Sequence, residues 1–208
     1  MATIESIVTA LADLEESELY AEVKKAIDAN TSRSDVIESL QAGMAVIGER
    51  YAAREYFISE LMLSAEIFVE CQNLLGGEAD ADVKYGAFVL GTAAGDVHDI
   101  GKNIVGAIFR SSGFKVIDLG VDVPAAEFVK AVKENDAKVI GISCLLTTAF
   151  DAMKATVDAL KEEGLAEDRL IMIGGGPVND DTLAYTGADF YDFSAQNAVQ
   201  KAINFVAG

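Results

Sequence analysis

Up to about residue 75 the apolar positions recur at helical spacing and nowhere alternate as a strand does. Ile4, Ile7, Val8, Leu11 and Leu14 share one helical face. Leu19, Val23 and Ile27 share another, after Ser17, a residue suited to an N-cap. A third helix is expected from Ser34, with Val36, Ile37, Leu40, Met44 and Ile47 on its apolar side. A fourth is expected from about Glu55 to Leu75, apolar nearly all round through Phe57, Ile58, Leu61, Met62, Leu63, Ile67, Phe68, Cys71 and Leu74. Short connections make this an antiparallel four-helix bundle, a first domain over residues 1–80. Gly76-Gly77-Glu78-Ala79-Asp80-Ala81-Asp82 reads as a linker. The surplus apolar face at Met62 and Leu63 either packs on a second domain or covers a ligand held there.

From Lys84 the texture changes. Strands are expected over 85–91, 115–119, 139–143, 170–173 and 189–193, alternating with helices over 100–111, 125–135, 149–163, 180–185 and 195–206. Strands and helices in alternation predict an α/β domain, residues 83–208, with a parallel sheet covered on both faces. Right-handed crossovers leave a doubly wound, Rossmann-type sheet, of which the flavodoxin-like order 2-1-3-4-5 is the common five-strand form. Its switch point lies between strands 1 and 3, where ligands bind beyond the carboxyl ends of the strands. Unusual residues gather there: Gly95-Asp96-Val97-His98-Asp99-Ile100-Gly101 after strand 1, Ser143-Cys144-Leu145-Leu146-Thr147-Thr148 after strand 3, and Gly174-Gly175-Gly176 after strand 4. The loop after strand 2, Gly120 to Pro124, lies on the far side of the switch point from strand 3.

Composition narrows the chemistry. The 208 residues carry 34 Asp plus Glu against 16 Lys plus Arg, a formal net charge of -18. Such a chain lacks the clustered positive charge that nucleic acid or an anionic membrane requires. Residues of hydrophobic type make up 51%, enough for a core. No secretory signal and no membrane-length apolar run is present, and two Cys suit a reducing compartment, so a cytoplasmic location is expected. One His and two Cys cannot build a disulfide framework or an all-protein zinc site.

The common loop chemistries fail on spacing. Gly95 is followed by five residues before Gly101-Lys102, and Asn103 stands where a P-loop has a hydroxyl. No G-x-G-x-x-G follows strand 1. A Ser-His-Asp hydrolase from Ser143, His98 and Asp96 lacks the nucleophile elbow, since Leu145 replaces its last glycine. His98 as a metal ligand faces the plainer reading of a solvated loop histidine. Asp96, two residues earlier, is however placed to fix one imidazole nitrogen and free the other for coordination. A metal served by one protein ligand must bring its other ligands with it, as in a haem or a corrin. Haem prefers an apolar slot between helices. Glycines at a strand end (Gly174 and Gly175), together with the Ser143 hydroxyl, suit a cofactor with a long tail.

The sequence resembles the cobalamin-binding domains marked by D-x-H-x-x-G, then S-x-L, then G-G. Here these are Asp96-Val97-His98-Asp99-Ile100-Gly101, Ser143-Cys144-Leu145 and Gly174-Gly175, with 41 residues between Gly101 and Ser143 and 28 between Leu145 and Gly174. The upstream helices, including Tyr56 to Glu66, resemble the cap of the same family. Together they resemble the free-standing corrinoid proteins of anaerobic methyltransferase systems, related to the cobalamin module of methionine synthase.

The resemblance implies a cobalamin or related corrinoid as cofactor and His98 as the lower axial ligand of cobalt, oriented by Asp96. It implies that Ser143 and the backbone at Gly174 and Gly175 hold the tail, that Leu145, Thr147, Thr148 and Gly176 with Val97, Asp99, Ile100 and Gly101 of the histidine loop also bind the cofactor, and that Met62 and Leu63 cover its upper face. Methionine synthase has a serine six residues beyond the S of S-x-L, extending the His–Asp network; Ala149 stands there in this chain. The third member is therefore absent or supplied by Thr147 or Thr148. The implied function is a methyl carrier, without a catalytic site of its own, that takes a methyl group on cobalt(I) from a substrate-specific methyltransferase. A second methyltransferase, with tetrahydrofolate or a similar acceptor, would receive it, and a reductive activator would restore oxidised cobalt. Methanol, methylamines, quaternary amines and the methoxylated aromatics of O-demethylation are all donors served by such carriers. A cobalamin sensor would need an attached output domain, and an adenosylcobalamin isomerase subunit a large catalytic partner.

Overall fold

The computed structural model describes residues 4–76 and 83–208, and these divide into two compact units: Met1–Lys84 with Ser111–Gly113, and Tyr85–Arg110 with Phe114–Gly208. The expected linker lies, apart from Gly76, outside the described residues.

The first unit is built on α1 (Glu5–Ala12), α2 (Glu16–Asp28), α3 (Arg33–Ala52) and α4 (Ile58–Leu75). α1 packs on α2 and α3, and α4 on α3 and α2, so the four helices enclose one core. Ile7, Leu11, Leu19, Val23, Val36, Ile37, Leu40, Ile47 and Phe68 fill it, the apolar faces that the helical spacing marks out. The helix starts differ from expectation. α2 opens one residue before Ser17, because Leu14 turns through a left-handed conformation (φ 57°) and ends α1 abruptly. α3 starts at Arg33, one residue before the expected Ser34, and Ser32 caps it, its hydroxyl accepting from Asp35 N. Left-handed Arg54 breaks the chain before α4, which starts at Ile58 with the Glu60 carboxylate accepting from Phe57 N (2.8 Å). Arg50 and the Tyr56 hydroxyl both donate to Ala12 O, closing the end of α1.

The second unit carries β1 (Ala87–Thr92), α5 (Ile100–Ser111), β2 (Lys115–Asp118), α6 (Ala125–Asn135), β3 (Val139–Ser143), α7 (Phe150–Glu162), β4 (Leu170–Gly174), α8 (Asp180–Thr186), β5 (Phe190–Tyr191) and α9 (Ala195–Ala207). The sheet is wholly parallel in the order β2-β1-β3-β4-β5, the doubly wound arrangement expected. A single 3-10 turn, Thr147–Ala149, leads into α7. β5 is shorter than expected, Phe190–Tyr191, with an aspartate at each end accepting a backbone hydrogen bond. Asp189 accepts from Ile171 N (2.8 Å) and Asp192 from Ser194 N (2.7 Å).

Register decides where the loops meet. Thr92 pairs with Ser143, and Ser143 with Gly174, so the last residues of β1, β3 and β4 lie side by side at one edge. Ser143 O accepts from Ala93 N and Gly174 O from Cys144 N, carrying the pairing just past the strand ends. No helix among the described residues is long and apolar enough to cross a membrane.

Candidate cofactor site

Between Thr92 and α5 the chain is irregular, and one side chain organises it. Asp96 is fully buried and uses both carboxylate oxygens. Oδ1 accepts from His98 N (3.0 Å) and pairs with His98 Nδ1 (2.6 Å). Oδ2 accepts from the amides of Leu145 (2.5 Å) and Leu146 (3.0 Å). Burial alone pushes a carboxyl upward. Here the hydrogen bonds from His98 and from the amides of Leu146, His98 and Leu145 outweigh burial and hold Asp96 well below the usual carboxylate range. The network therefore contains an anion at neutral pH. Thr147 and Thr148 are exposed and neither bonds to Asp96, so of the two alternatives at the Ala149 position the described residues leave the absence of a third side chain. Two backbone amides of the β3–α7 turn have already saturated Oδ2.

The ring of His98 is left with one free nitrogen. Nδ1 is held by Asp96, Nε2 is not, and the side chain keeps 48% of its exposure. Thr92 Oγ1 donates to His98 O (3.0 Å) and ties the same residue to the end of β1. Around it Val97, Ile100, Leu145 and Leu146 all stand exposed, an apolar rim on a loop cluster that water would otherwise cover. Exposed Asp99 takes the first helical hydrogen bond of α5 from Asn103 N (2.7 Å), so the histidine loop runs straight into a helix. Lys102, buried one turn in, grips Asp118 at the end of β2 through both carboxylate oxygens (2.7 and 2.6 Å).

The glycines separate into two kinds. A Cβ at Gly101 or Gly174 would meet no atom within 4 Å, so both face open space. Gly175 is different: at φ +137° a Cβ would lie 1.8 Å from Cys144 O. Its lack of a side chain serves the close pass of the β4–α8 turn over β3, not only a ligand's approach. Gly176 is in ordinary contact with Leu145. Ser143 is half-buried, and its hydroxyl makes no hydrogen bond among the described residues. Cys144 is buried, its thiol pushed up to about 12 by burial first and by the Asp96 charge second. Met62 and Leu63 belong to the helical unit, exposed on α4.

Asp96, Val97, His98, Ser143, Leu145 and Gly174 are thus brought to one sheet edge. Two contributors are invisible to residue-type reasoning. The Leu145 and Leu146 amides leave no mark in the sequence, because any residue supplies an N–H. Asp122, in the loop after β2, accepts from Gly95 N (2.7 Å) and donates its own amide to Asp96 O (2.9 Å). The turn composition of Gly120 to Pro124 was the available signal.

Among the described residues no group of three or more His, Cys, Asp and Glu side chains could hold a metal ion. A metal at His98 Nε2 must bring its remaining ligands. The free Nε2, the exposed apolar rim and the open space at Gly101 and Gly174 fit a large planar metal macrocycle with an appended tail.

Two family models, each described as a B12 binding domain, match the chain over residues 86–201 and 3–71. The dimethylamine corrinoid protein 3 of Methanosarcina acetivorans is 38% identical over 208 residues, covering 97% of this chain and 98% of its own. A crystal structure of a cobalamin-binding protein from Desulfitobacterium hafniense superposes with a TM-score of 0.84 at 38% identity, covering 99% and 100% of the two chains. The methanol:cobalamin methyltransferase complex of Methanosarcina barkeri contains a chain with a TM-score of 0.83 at 34% identity, covering 98% of this chain and 79% of that one.

Proposed function

The chain belongs to the family of B12-binding corrinoid proteins, and from that premise we propose that it is the methyl carrier between two methyltransferases, with His98 as the axial ligand of cobalt. It binds cobalamin or a related corrinoid. The bound corrinoid supplies the cobalt centre that carries the methyl group. The observation that carries the residue assignment is the Asp96–His98 pair: Asp96 occupies Nδ1 and leaves Nε2 as the one nitrogen able to reach a metal.

Each residue has a physical task. Asp96, kept anionic by four hydrogen bonds, holds Nδ1 of His98 and so fixes the orientation of the ring with Nε2 outward. The Ser143 hydroxyl offers an unfilled donor and acceptor to the cofactor tail, and Gly174 offers bare backbone beside it.

Donor choice lies with the first methyltransferase. One relative is named a dimethylamine corrinoid protein and another belongs to a methanol:cobalamin methyltransferase complex, which supports trying methylamines and methanol first as donors. The second partner is proposed to pass the methyl group to a tetrahydrofolate-type acceptor, with a reductive activator to rescue oxidised cobalt.

Reconstitution with cobalamin tests the assignment. The wild-type protein should bind it and show histidine-ligated absorption spectra, whereas His98→Ala should retain cofactor and lose that signature. Identical spectra in the two proteins would overturn His98 as ligand.

A further inference from the structure

Asp96 is held from two sides, and only one of them is its side chain. The carboxylate is seated on the turn after β3. The main chain of Gly95 and Asp96 is held instead by the loop after β2, through Asp122. Gly95 N donates to Asp122 Oδ1 (2.7 Å) and Asp122 N donates to Asp96 O (2.9 Å), a reciprocal pair bracketing the peptide before the histidine loop. The same loop brings Gly120 O to Thr92 N (3.0 Å) and Val123 N to Thr92 O (2.9 Å), and Val123 bridges Ala93 as a last parallel pair. Buried Val123 fixes the register, so Asp122 is delivered opposite Gly95.

Asp122 is built for this position at some cost. Its φ is +52°, in the left-handed region, where Asp and Asn are the side chains tolerated best after glycine. Gly95 faces it with φ +83°. Both residues lie beyond the sheet ladder, so without the Asp122 carboxylate the Gly95 amide would depend on water.

We propose that Asp122 is a positioning residue for the axial ligand: it fixes the backbone from which Asp96 aims His98 Nε2, and so sets the fraction of cofactor that is histidine-ligated. This rests on the reading of His98 as the cobalt ligand. The hydrogen bonds of Asp122 go to the backbone of Gly95 and Asp96 and not to the His98 ring. It acts by keeping Asp96 in register with the two amides that hold its carboxylate.

The chain has one histidine, which makes the test direct. Full-length protein carrying heavy-nitrogen histidine is loaded with cob(II)alamin and read by electron paramagnetic resonance, where the axial nitrogen splits the cobalt signal and the isotope separates His98 from the cofactor's own base. Asp122→Asn keeps both the acceptor oxygen and the tolerance for positive φ, and should match wild type. Asp122→Gly keeps the backbone conformation but removes the acceptor, and should lower the ratio of ligated to unligated cobalt roughly three- to tenfold, the range expected for one lost hydrogen bond. In the apo protein, exchange of the Gly95 amide should speed up in Asp122→Gly alone. Equal ratios in the Gly and Asn variants overturn the inference, whatever value they share. Absence of histidine coupling in the wild type overturns the ligand assignment itself, and the inference with it.

Discussion

Asp96 and His98 are joined twice through a single oxygen: Asp96 Oδ1 accepts from the His98 backbone amide at 3.0 Å and meets Nδ1 of the same residue at 2.6 Å. A carboxylate that holds both the main chain and the ring of one residue leaves that ring little freedom. Its second oxygen, anchored on Leu145 and Leu146, ties the pair to the neighbouring strand.

Asp96→Asn should therefore be costly despite its shape. The amide group can present one oxygen, so either the Leu145 and Leu146 amides or His98 meets an NH2 instead of an acceptor. A loss of about 1–3 kcal/mol in unfolding free energy is expected, measured by urea denaturation of the apo protein. Stability equal to wild type would show that the buried network contributes nothing.

Acid should act through the same group. Asp96 is held below its unfolded pKa, so its contribution is present above the ordinary carboxylate range and lost as pH falls through the depressed folded value. Asp118 has the same sign: burial raises its pKa, and the Lys102 ammonium more than reverses this. Stability should fall as pH drops below about 4, and Asp96→Asn should flatten that slope. Parallel pH–stability curves for variant and wild type would refute the linkage.

Lys102 is buried with two hydrogen bonds to Asp118 and one to Asn103 Oδ1 (2.7 Å). Removing its charge leaves the partly exposed Asp118 without its partner. Lys102→Met should destabilise by about 1–3 kcal/mol, less than a fully buried pair because Asp118 still reaches water. A thermal melt unchanged by the substitution would count against this.

Neighbouring glycines should answer differently to alanine. Gly175→Ala drives a Cβ into Cys144 O and forces a positive φ, so the protein should be strongly destabilised, by about 3 kcal/mol or more. Gly174→Ala points into open space, so it should fold normally and bind cobalamin more weakly. Melting curves paired with cobalamin titrations distinguish the two, and similar melts would refute the distinction.

Cys71 and Cys144 are both buried, with thiols pushed up to about 12, chiefly by burial. Neither should react with a thiol reagent at pH 8 until the protein unfolds. Rapid modification of the native chain would contradict the packing of β3 or α4.

Much of the fold is legible before any coordinates. Parallel strands separated by helices admit few topologies, and the order β2-β1-β3-β4-β5 is the one expected. Element starts are less legible. Ser17 has the chemistry of a cap, yet α2 starts before it, after the left-handed turn at Leu14, and α3 is capped by Ser32, because a cap depends on where the preceding turn ends. β5 spans two residues rather than five, because Asp189 and Asp192 engage neighbouring amides through their carboxylates, which residue type alone does not reveal.

The sequence by itself determined the apolar periodicities, the order of strands and helices, and the chemistry held at the strand ends: one histidine, an aspartate two residues before it, and glycines where side chains would intrude. Tertiary structure alone decided what keeps Asp96 charged and aimed. That task falls to the backbone amides of Leu145 and Leu146 and to Asp122 from a loop across the switch point. The reason is physical: a peptide N–H is the same in every residue except proline, so its role is set by where the fold carries it, which residue type does not record.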